Sequence, residues 1–483
     1  MFRGRGLPLT RYDGVVVGSG PNGLAAAITL ARAGRSVLVV EANDTLGGGT
    51  RSAALTLPGL VHDLCSAVHP MAAASPVFAE WPLREHGLEW IEPPLALAHP
   101  LDDGDAVVVA RDLAATVAGL GDDGEAYRNL IGPVATDWPV IVDAFFGPLR
   151  PTAMLRHPWR TARFGLRALQ PASLLSRRFS APRTRALFAG VAAHSMLRLE
   201  QPVSGAVAMT LLGAAHRVGW PIARGGSQAI ADALIGYLRS LGGELVTGWR
   251  VGSLSDLPEH RAVLLDLAPR GVLEVAGERL RGRYRRALRR FRHGPGVFKL
   301  DLALDAPLPW ANPDVARAGT VHLGGDVEEI RNGERAVARG KAVERPFVLL
   351  SQPTLFDPSR STDDRHVVWA YCHVPNGSEV DMTEPILDQV ERFAPGARRR
   401  VIGLSAMGPA AIESRNAAHV GGDINGGAQD IWQTFTRPAW RADPYSTPDP
   451  AIFVCSASTP PGGGVHGLCG WRAARSALRG VLR

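Results

Sequence analysis

One segment near the start of the printed sequence constrains the fold more than any other. Apolar runs over residues 12–17 and 36–40 predict two buried parallel strands, and residues 24–33, rich in alanine and leucine, predict a helix between them. The turn that joins the first strand to the helix, residues 18–23, has the pattern G-x-G-x-x-G. Together these elements predict an α/β dinucleotide-binding fold.

Each part of that pattern has a physical reason. Gly18 permits the tight turn, Gly20 lets the backbone approach a pyrophosphate, and Gly23 lets the helix pack closely on the strand. The free N–H groups at the helix N-terminus then face the phosphates. Glu41 ends the second strand, 18 residues after Gly23. Its carboxylate is expected to accept hydrogen bonds from a ribose diol and to disfavour a 2′-phosphate, which argues against NADP.

A second glycine cluster separates FAD from NAD. Residues 47–51, Gly-Gly-Gly-Thr-Arg, follow Glu41 closely. This resembles the flavoprotein pattern in which a glycine pair passes close to the pyrophosphate and ribityl chain of FAD. Arg51 is expected to neutralise phosphate charge.

The C-terminal segment carries another glycine-rich loop. Residues 452–458 predict a strand, residues 459–467 form the loop, and residues 469–482 predict a helix. The loop glycines also spell G-x-G-x-x-G, but only 16 residues follow Gly467, so a second, independent NAD fold is excluded. The loop is instead expected to aim N–H groups at the flavin ring or pyrophosphate of a cofactor already bound by the N-terminal unit.

Composition excludes several classes of protein. The 483 residues are 46% hydrophobic and 20% charged, as in globular proteins of two or three domains. No Cys-x-x-Cys pair is present, so neither a dithiol redox centre nor a zinc ribbon is expected, and we expect no metal site. The net charge of +7 fits an anionic partner, but no nucleic-acid-binding motif is recognisable.

The sequence also bears on cellular location. The longest weakly polar run, residues 202–215, is 14 residues long, whereas a membrane span needs roughly 20 apolar residues. The first ten residues have no long apolar region of the kind found in secretory signals. The cytoplasm is therefore the expected compartment, with membrane association as an open addition.

That addition depends on an amphipathic stripe. Apolar residues recur at helical spacing, and arginines follow one position later: Leu155, Trp159, Ala162, Leu166 and Leu169, with Arg156, Arg160, Arg163 and Arg167. Such a helix either contacts a membrane surface or is a surface helix docked on its own core. Pro158 favours a helix that begins there.

Five stretches carry a resemblance to a known family: residues 17–24, 47–51, 62–70, 296–299 and 460–467. Together they resemble the phytoene desaturase-like FAD oxidoreductases, relatives of the carotenoid desaturases and ketolases and of the amine oxidases. The closest branch is the pyridine nucleotide-disulphide oxidoreductase domain-containing protein 2 group.

The resemblance implies an α/β fold of two parts. A Rossmann-like FAD domain of the two-dinucleotide-binding type is built from residues 10–80, 221–270 and 440–483. An α+β substrate domain with a mixed sheet is built from residues 81–220 and 271–439.

Motif position and resemblance also imply the site residues. The expected cofactor contacts are Gly18, Ser19, Gly20, Pro21, Asn22, Gly23, Glu41, Ala42, Gly48, Gly49, Thr50, Arg51, Val251, Gly463, Gly464, Val465 and His466. Val251 is expected on a returning strand beside the adenine. The catalytic candidates are Lys299, because some flavin oxidases use a lysine to hold water at flavin N5, and His466.

The function implied is hydride transfer between flavin N5 and a lipophilic, carotenoid- or lipid-like small molecule. Two alternatives remain open. One is a flavin amine oxidase, which needs an aromatic cage beside the flavin; Trp440, Tyr445 and Trp471 lie near the C-terminal motif. The other is an FAD-binding interaction protein with little turnover.

Overall fold

A computed structural model describes residues 11–483, and the expectation about a signal in residues 1–10 lies outside the described residues. Its strands are β1 Arg11–Val17, β2 Val37–Val40, β3 Ser52–Ala53, β4 His62–Asp63, β5 Trp90–Ile91, β6 Leu95–Pro100, β7 Ala106–Val109, β8 Ile222–Ala223, β9 Glu244–Val246, β10 Glu259–Leu265, β11 Gly296–Leu304, β12 Ala318–Leu323, β13 Val348–Ser351, β14 His366–Val374, β15 Val401–Met407 and β16 Ile452–Val454.

The α-helices are α1 Pro21–Arg32, α2 Pro70–Ala73, α3 Pro76–Glu80, α4 Leu113–Gly119, α5 Gly124–Thr136, α6 Trp138–Phe145, α7 Pro151–Arg156, α8 Pro158–Ala168, α9 Ala172–Leu175, α10 Pro182–Ala193, α11 Ser204–Val218, α12 Gln228–Ser240, α13 Pro269–Ala276, α14 Gly282–Arg289, α15 Val327–Val337, α16 Thr383–Phe393, α17 Pro409–Arg415, α18 Ile431–Thr436 and α19 Leu468–Arg479. None of the helices in the described part of the chain is long and apolar enough to cross a membrane.

The first of the two larger sheets has five parallel strands in the order β16-β10-β1-β2-β9. Its strands are short apolar runs because helices cover the sheet and little of it meets water. Helix α1 packs against α12 and α19, in a core rich in alanine and leucine. The predicted strand-turn-helix-strand unit at residues 12–40 is therefore confirmed as the centre of this sheet.

The second sheet has seven strands in the order β15-β11-β14-β13-β12-β6-β7, with only β12 and β6 parallel. Directly opposite residues of antiparallel strands share a face. Lys299 opposes Tyr371, Tyr371 opposes Leu349, and Leu349 opposes His322. These four residues therefore form one row on one face, and helices α5, α10 and α11 belong to the core on that side.

The predicted α/β fold class, with a Rossmann-like sheet and a separate mixed sheet, is confirmed. The parallel sheet draws its strands from residues 11–40, 244–265 and 452–454, and the mixed sheet draws its strands from residues 95–109 and 296–407. The domain boundaries themselves stay a prediction.

Candidate functional site

A cavity of about 560 Å³ lies between the two sheets. Its wall includes Glu41 and Val251, beside the parallel sheet, and Thr320 and Tyr371, on the mixed sheet. We call the part beside the parallel sheet the dinucleotide end and the part beside the mixed sheet the substrate end.

The first glycine loop joins β1 to α1 at the dinucleotide end. Gly20 is the N-cap of α1, so no side chain caps the helix from that position. A Cβ on Gly20 would lie 2.7 Å from Asp266 Oδ2, and a Cβ on Gly23 would lie 2.1 Å from the carbonyl oxygen of Gly18. Both positions therefore require glycine, as the motif predicts.

Glu41 directly follows β2, and its buried carboxylate ties two loops together. Oε2 accepts hydrogen bonds from N and Oγ of Ser19 at 3.0 and 2.7 Å, and Oε1 accepts from N and Nδ2 of Asn43 at 2.9 and 2.8 Å. Ser19 Oγ in turn accepts from the N–H of Gly47 at 3.1 Å. The carboxylate is thus fixed on the cavity wall as an anionic acceptor.

The second glycine loop contacts the first one backbone to backbone. A Cβ on Gly48 would lie only 2.8 Å from the Cα of Gly20. Gly48 also has a φ of +55°, in the left-handed region that favours glycine. The two loops therefore meet through the glycine backbone at this stretch of the cavity wall.

The C-terminal loop completes the wall on the other side. Gly463, Gly464, Val465 and His466 line the cavity. His466 Nδ1 accepts a hydrogen bond from the N–H of Leu468 at 3.1 Å, so the ring proton resides on Nε2. That buried N–H has no partner among the described residues. Burial lowers the pKa of His466 to about 4, so the ring is neutral at pH 7.

Comparisons with known proteins agree with this geometry. Residues 16–81 match the family described as NAD(P)-binding Rossmann-like domain. The chain is 25% identical to mouse pyridine nucleotide-disulfide oxidoreductase domain-containing protein 2, over 97% of the chain and 93% of that protein. It is 32% identical to hydroxyneurosporene desaturase of Cereibacter sphaeroides, over 38% of the chain and 35% of that protein.

Two solved structures show the same fold. An oxidoreductase from Methanosarcina mazei has a TM-score of 0.67 at 16% identity, covering 96% of this chain and 99% of its own. Putrescine oxidase bound to putrescine has a TM-score of 0.61 at 18% identity, covering 97% and 99%. The chain is therefore similar over almost its whole length to pyridine nucleotide-disulfide oxidoreductase domain-containing protein 2 and shares the fold of these solved oxidoreductases. The predicted family resemblance is therefore confirmed.

The dinucleotide end of the cavity brings together most of the predicted cofactor contacts. Fourteen of them line the cavity: Gly18, Ser19, Gly20, Pro21, Asn22, Glu41, Ala42, Gly48, Gly49, Val251, Gly463, Gly464, Val465 and His466. The predicted strand position of Val251 is wrong, because the residue lies in the loop between β9 and β10. It belongs to the same apolar cluster as Val275 and Trp249, which also line the cavity.

Three predicted contacts do not line the cavity. Gly23 packs on Gly18, and Thr50 Oγ1 donates to the carbonyl oxygen of Gly47 at 2.8 Å. Arg51 donates from Nε to the carbonyl oxygen of Gly48 at 2.9 Å and also donates to the carbonyl oxygen of Arg415. Arg51 is therefore committed to holding the glycine loop, and its predicted phosphate contact stays a prediction.

Asp266 is a site residue that the sequence motifs do not single out. It directly follows β10, and its Oδ2 accepts a hydrogen bond from the N–H of Gly23 at 2.8 Å. Burial, with a contribution from nearby Glu41, raises the pKa of Asp266 to about 7. The only sequence signal was its place at the carboxyl end of a parallel strand, the edge where ligands of such sheets bind.

Lys299, the first catalytic candidate, is not on the cavity wall. Its ammonium forms a buried ion pair with Asp301. Asp301 also lies 3.3 Å from His62 Nδ1. The ion pair sits on the sheet face that carries Tyr371, behind the residues that line the cavity. The proposed role of Lys299 at the flavin stays a prediction.

The aromatic residues at the site differ from those suggested by the C-terminal motif. Trp440 is 80% exposed, and neither it nor Tyr445 nor Trp471 lines the cavity. Instead, Trp369 and Tyr371 line it from β14, with ring centroids 5.1 Å apart at 80°. In the part of the chain that the structure describes, no group of three or more His, Cys, Asp or Glu could hold a metal ion.

Proposed function

We propose that the dinucleotide end binds FAD and that the chain is a hydride-transferring oxidoreductase for a lipophilic small molecule. FAD bound there would accept or donate a hydride at its isoalloxazine ring. The supporting observation is one continuous cavity whose wall joins both glycine loops, Glu41 and the C-terminal loop to a largely apolar substrate end.

The residues present fit a flavin dinucleotide. Asn22 Oδ1, in the first turn of α1, and His466 Nε2, in the C-terminal loop, are buried polar atoms of cavity-lining residues, and neither has a partner among the described residues. A polar ligand would satisfy both, which matters because an unpaired buried polar atom costs about 1–3 kcal/mol. Glu41 would accept from the ribose hydroxyls, and the His466 N–H would donate to an acceptor at the other end of the cofactor.

The substrate end fits a lipophilic molecule. Most of its wall is aliphatic or aromatic: Val68, Met71, Phe145, Phe146, Ala206, Val207, Leu211, Leu349, Trp369, Tyr371 and Ile424. Every charged side chain on the cavity wall belongs to the dinucleotide end: Glu41, Arg250, Asp266 and Glu274. A largely apolar wall removes water from the reaction and holds substrate by its apolar surface.

An absorbance spectrum and anaerobic reduction test this function. The purified chain, reconstituted with FAD, is expected to show flavin absorbance that bleaches when a lipid extract of its host is added without oxygen. Putrescine and cyclohexylamine form the comparison arm, since bleaching by amines alone would indicate the amine oxidase alternative. Stable flavin absorbance with all reductants would favour the interaction protein, and no FAD binding would overturn the proposal.

We further propose that the segment around α8 docks on an anionic membrane. Helix α8 buries Thr161 and Phe164, while the predicted apolar stripe faces solvent, with Trp159 at 86%, Leu155 at 75% and Leu166 at 68% exposure. The stripe is therefore not the face that packs on the core. Exposed apolar side chains of this size on one surface are typical of interaction sites.

The charge around the stripe selects the partner. Residues 144–199 contain ten arginines and no aspartate or glutamate. Arg160 and Arg163 share Asp137, Arg150 and Arg156 share Asp143, and Arg183 pairs with Asp105. The ten arginines thus have three carboxylate partners among the ion pairs of the described residues, which leaves the segment with a positive excess. An apolar stripe within a basic surface matches a bilayer with anionic headgroups. Phe145 lines the cavity and packs against Phe164 on the buried face of α8, with the ring centroids 5.0 Å apart. Helix α8 therefore adjoins the substrate end.

Vesicle co-sedimentation tests the docking surface. Binding to phosphatidylcholine vesicles that contain phosphatidylglycerol is expected, with loss of binding in Trp159→Ser and retention in Trp432→Ser, whose tryptophan is 76% exposed elsewhere. Equal binding by both variants would overturn the proposal. Self-association that Trp159→Ser abolishes, without vesicle binding, would assign the surface to a second copy of the chain instead.

A further inference from the structure

The largely apolar wall of the substrate end includes a few polar side chains: His194, Thr210, Thr320 and Tyr371. Thr320, on β12, lines the cavity, and its buried Oγ1 has no hydrogen-bond partner among the described residues. His194, which follows α10, lines the same cavity. We call His194 and Thr320 the polar pair.

The orientation of His194 is fixed from behind. Its Nε2 lies 2.9 Å from Nε2 of His322, and the two rings have centroids 5.0 Å apart. Trp220 packs edge-on against His194, with the ring centroids 5.6 Å apart. One Nε2 donates to the other, so the remaining nitrogen of His194, Nδ1, is free to donate or accept according to the tautomer. No described residue forms a hydrogen bond with that Nδ1.

The polar pair is uncharged, and the charged side chains of the cavity wall lie elsewhere. Burial lowers the pKa of His194 to about 3, so the imidazole is neutral at pH 7. The charged wall residues Glu41, Arg250, Asp266 and Glu274 all lie at the dinucleotide end. A carboxylate ligand would therefore find no cation here and an ammonium ligand no anion, although a buried charge needs such a partner.

We propose that the polar pair binds the hydroxyl group of a substrate that is otherwise apolar, so that the substrate class is a lipophilic alcohol. Thr320 Oγ1 and His194 Nδ1 can together supply one donor and one acceptor, which a hydroxyl satisfies and a hydrocarbon does not. The inference rests on the proposed function. It assigns binding and orientation of the substrate only, and no bond forms or breaks at the hydroxyl.

The size of the effect follows from the unpaired groups. A hydrocarbon of the same shape would bury Thr320 Oγ1 and His194 Nδ1 without partners. Sites built to bind a hydroxyl discriminate strongly against ligands that lack it for this reason. We therefore expect an alcohol to bind about 10-fold or more tightly than its methyl ether, which lacks the donor.

Ligand affinity, measured without turnover, tests the inference. Octan-1-ol, 1-methoxyoctane, octylamine and octanoate are titrated into FAD-loaded chain, and tryptophan fluorescence is followed, because Trp220 and Trp369 line the cavity. Octan-1-ol is expected to bind most tightly. Thr320→Val should weaken its binding about 10-fold, and Thr320→Ser should restore it. Thr184→Val, at a buried threonine that does not line the cavity, is the matched control and should leave the affinity unchanged.

Three outcomes would overturn the inference: equal affinity for the alcohol and the ether, tighter binding of octylamine or octanoate, or an unchanged octan-1-ol affinity in Thr320→Val. If Thr320→Val does not fold, His194→Phe provides the same comparison. The titrations are repeated on FAD-free chain. Failure to bind FAD together with a retained alcohol preference would count against the proposed function alone.

Discussion

The two ends of the cavity recognise ligands by different means. At the dinucleotide end, two loops meet at the glycines Gly20 and Gly48, and the carboxylate of Glu41 accepts four hydrogen bonds from Ser19 and Asn43 of the same N-terminal unit. At the substrate end, the unpartnered Oγ1 of Thr320 lies among mostly apolar side chains from separate strands and helices. The dinucleotide end is thus a local motif, whereas the substrate end is assembled by the tertiary fold.

The largest expected effect lies behind the substrate end, at Lys299. Its ammonium pairs with buried Asp301, so Lys299→Met would leave an uncompensated buried carboxylate. We expect urea denaturation to show a free energy of unfolding lower by about 3–5 kcal/mol. Lys341→Met is the matched control, because Lys341 is the other lysine of the chain and is exposed. Its effect should be within about 0.5 kcal/mol.

That experiment also separates two roles of Lys299. A variant that is as stable as the parent chain but no longer reduces its flavin would contradict a structural role. It would support the catalytic role predicted from the sequence. Instability that Asp301→Leu relieves in the double variant would establish the ion pair as structural.

The next effect breaks the dinucleotide end. Gly20→Ala introduces a Cβ 2.7 Å from Asp266 Oδ2, an oxygen already held by the N–H of Gly23. We expect the dissociation constant of FAD, measured by fluorescence titration, to rise about 10-fold or more, because the loop must move away from its neighbours. Gly333→Ala in α15 is the control, since a Cβ there meets nothing within 4 Å. Equal FAD affinities in the two variants would show that close backbone approach at Gly20 is not required.

The contrast between the ends explains what could be predicted from sequence. Gly18, Gly20 and Glu41 lie within one unit whose period and turn residues are visible in the chain, so their position on the cavity wall follows from local rules. Asp266 escapes such reasoning because 243 residues separate it from Gly23, its hydrogen-bond partner. No periodic pattern in the sequence marks Asp266, because its role depends on a hydrogen bond to a distant part of the chain.

At the substrate end, too, distance along the sequence fails to predict which residues meet. Trp369 and Cys65 are 304 residues apart in sequence but share a hydrogen bond. Trp440 lies close to the C-terminal motif in sequence but projects into solvent. Proximity along the chain is therefore a poor guide to which aromatic side chains meet at a cavity between two sheets.

Asp266 also predicts a pH dependence at the dinucleotide end. The pKa of Asp266 is about 7 in the folded chain, against the ordinary value of 3.8 that applies to an unfolded chain. The folded chain therefore binds the proton more tightly. The resulting stability is complete below pH 4, is lost as the pH rises towards 7 and is absent above that. At 1.36 kcal/mol per pKa unit, the two units between pH 5 and the pKa correspond to an expected loss of about 2.7 kcal/mol between pH 5 and 8.

Asp266→Asn should remove this loss, because an amide keeps an acceptor for the Gly23 N–H and does not ionise in this range. Thermal and urea unfolding at several pH values provide the measurement on FAD-free chain. Asp44→Asn, an exposed acid of the second glycine loop, should leave the pH profile unchanged. If the free energy of unfolding depends on pH in the same way in the parent chain and in Asp266→Asn, the raised pKa of Asp266 is contradicted.

The smallest effect sharpens the comparison at the substrate end. Trp369 Nε1 donates to the carbonyl oxygen of Cys65 at 2.8 Å and so ties β14 to a loop that lines the cavity. Trp369→Phe removes that bond while keeping an aromatic ring, and we expect a loss of about 1 kcal/mol in unfolding free energy. Trp432→Phe, at an exposed tryptophan, should cost less. FAD affinity should be unchanged in both variants, because the glycine loops and Glu41 keep their own hydrogen bonds. A weakening of FAD binding by Trp369→Phe alone would show that the two ends are coupled through the Cys65 loop.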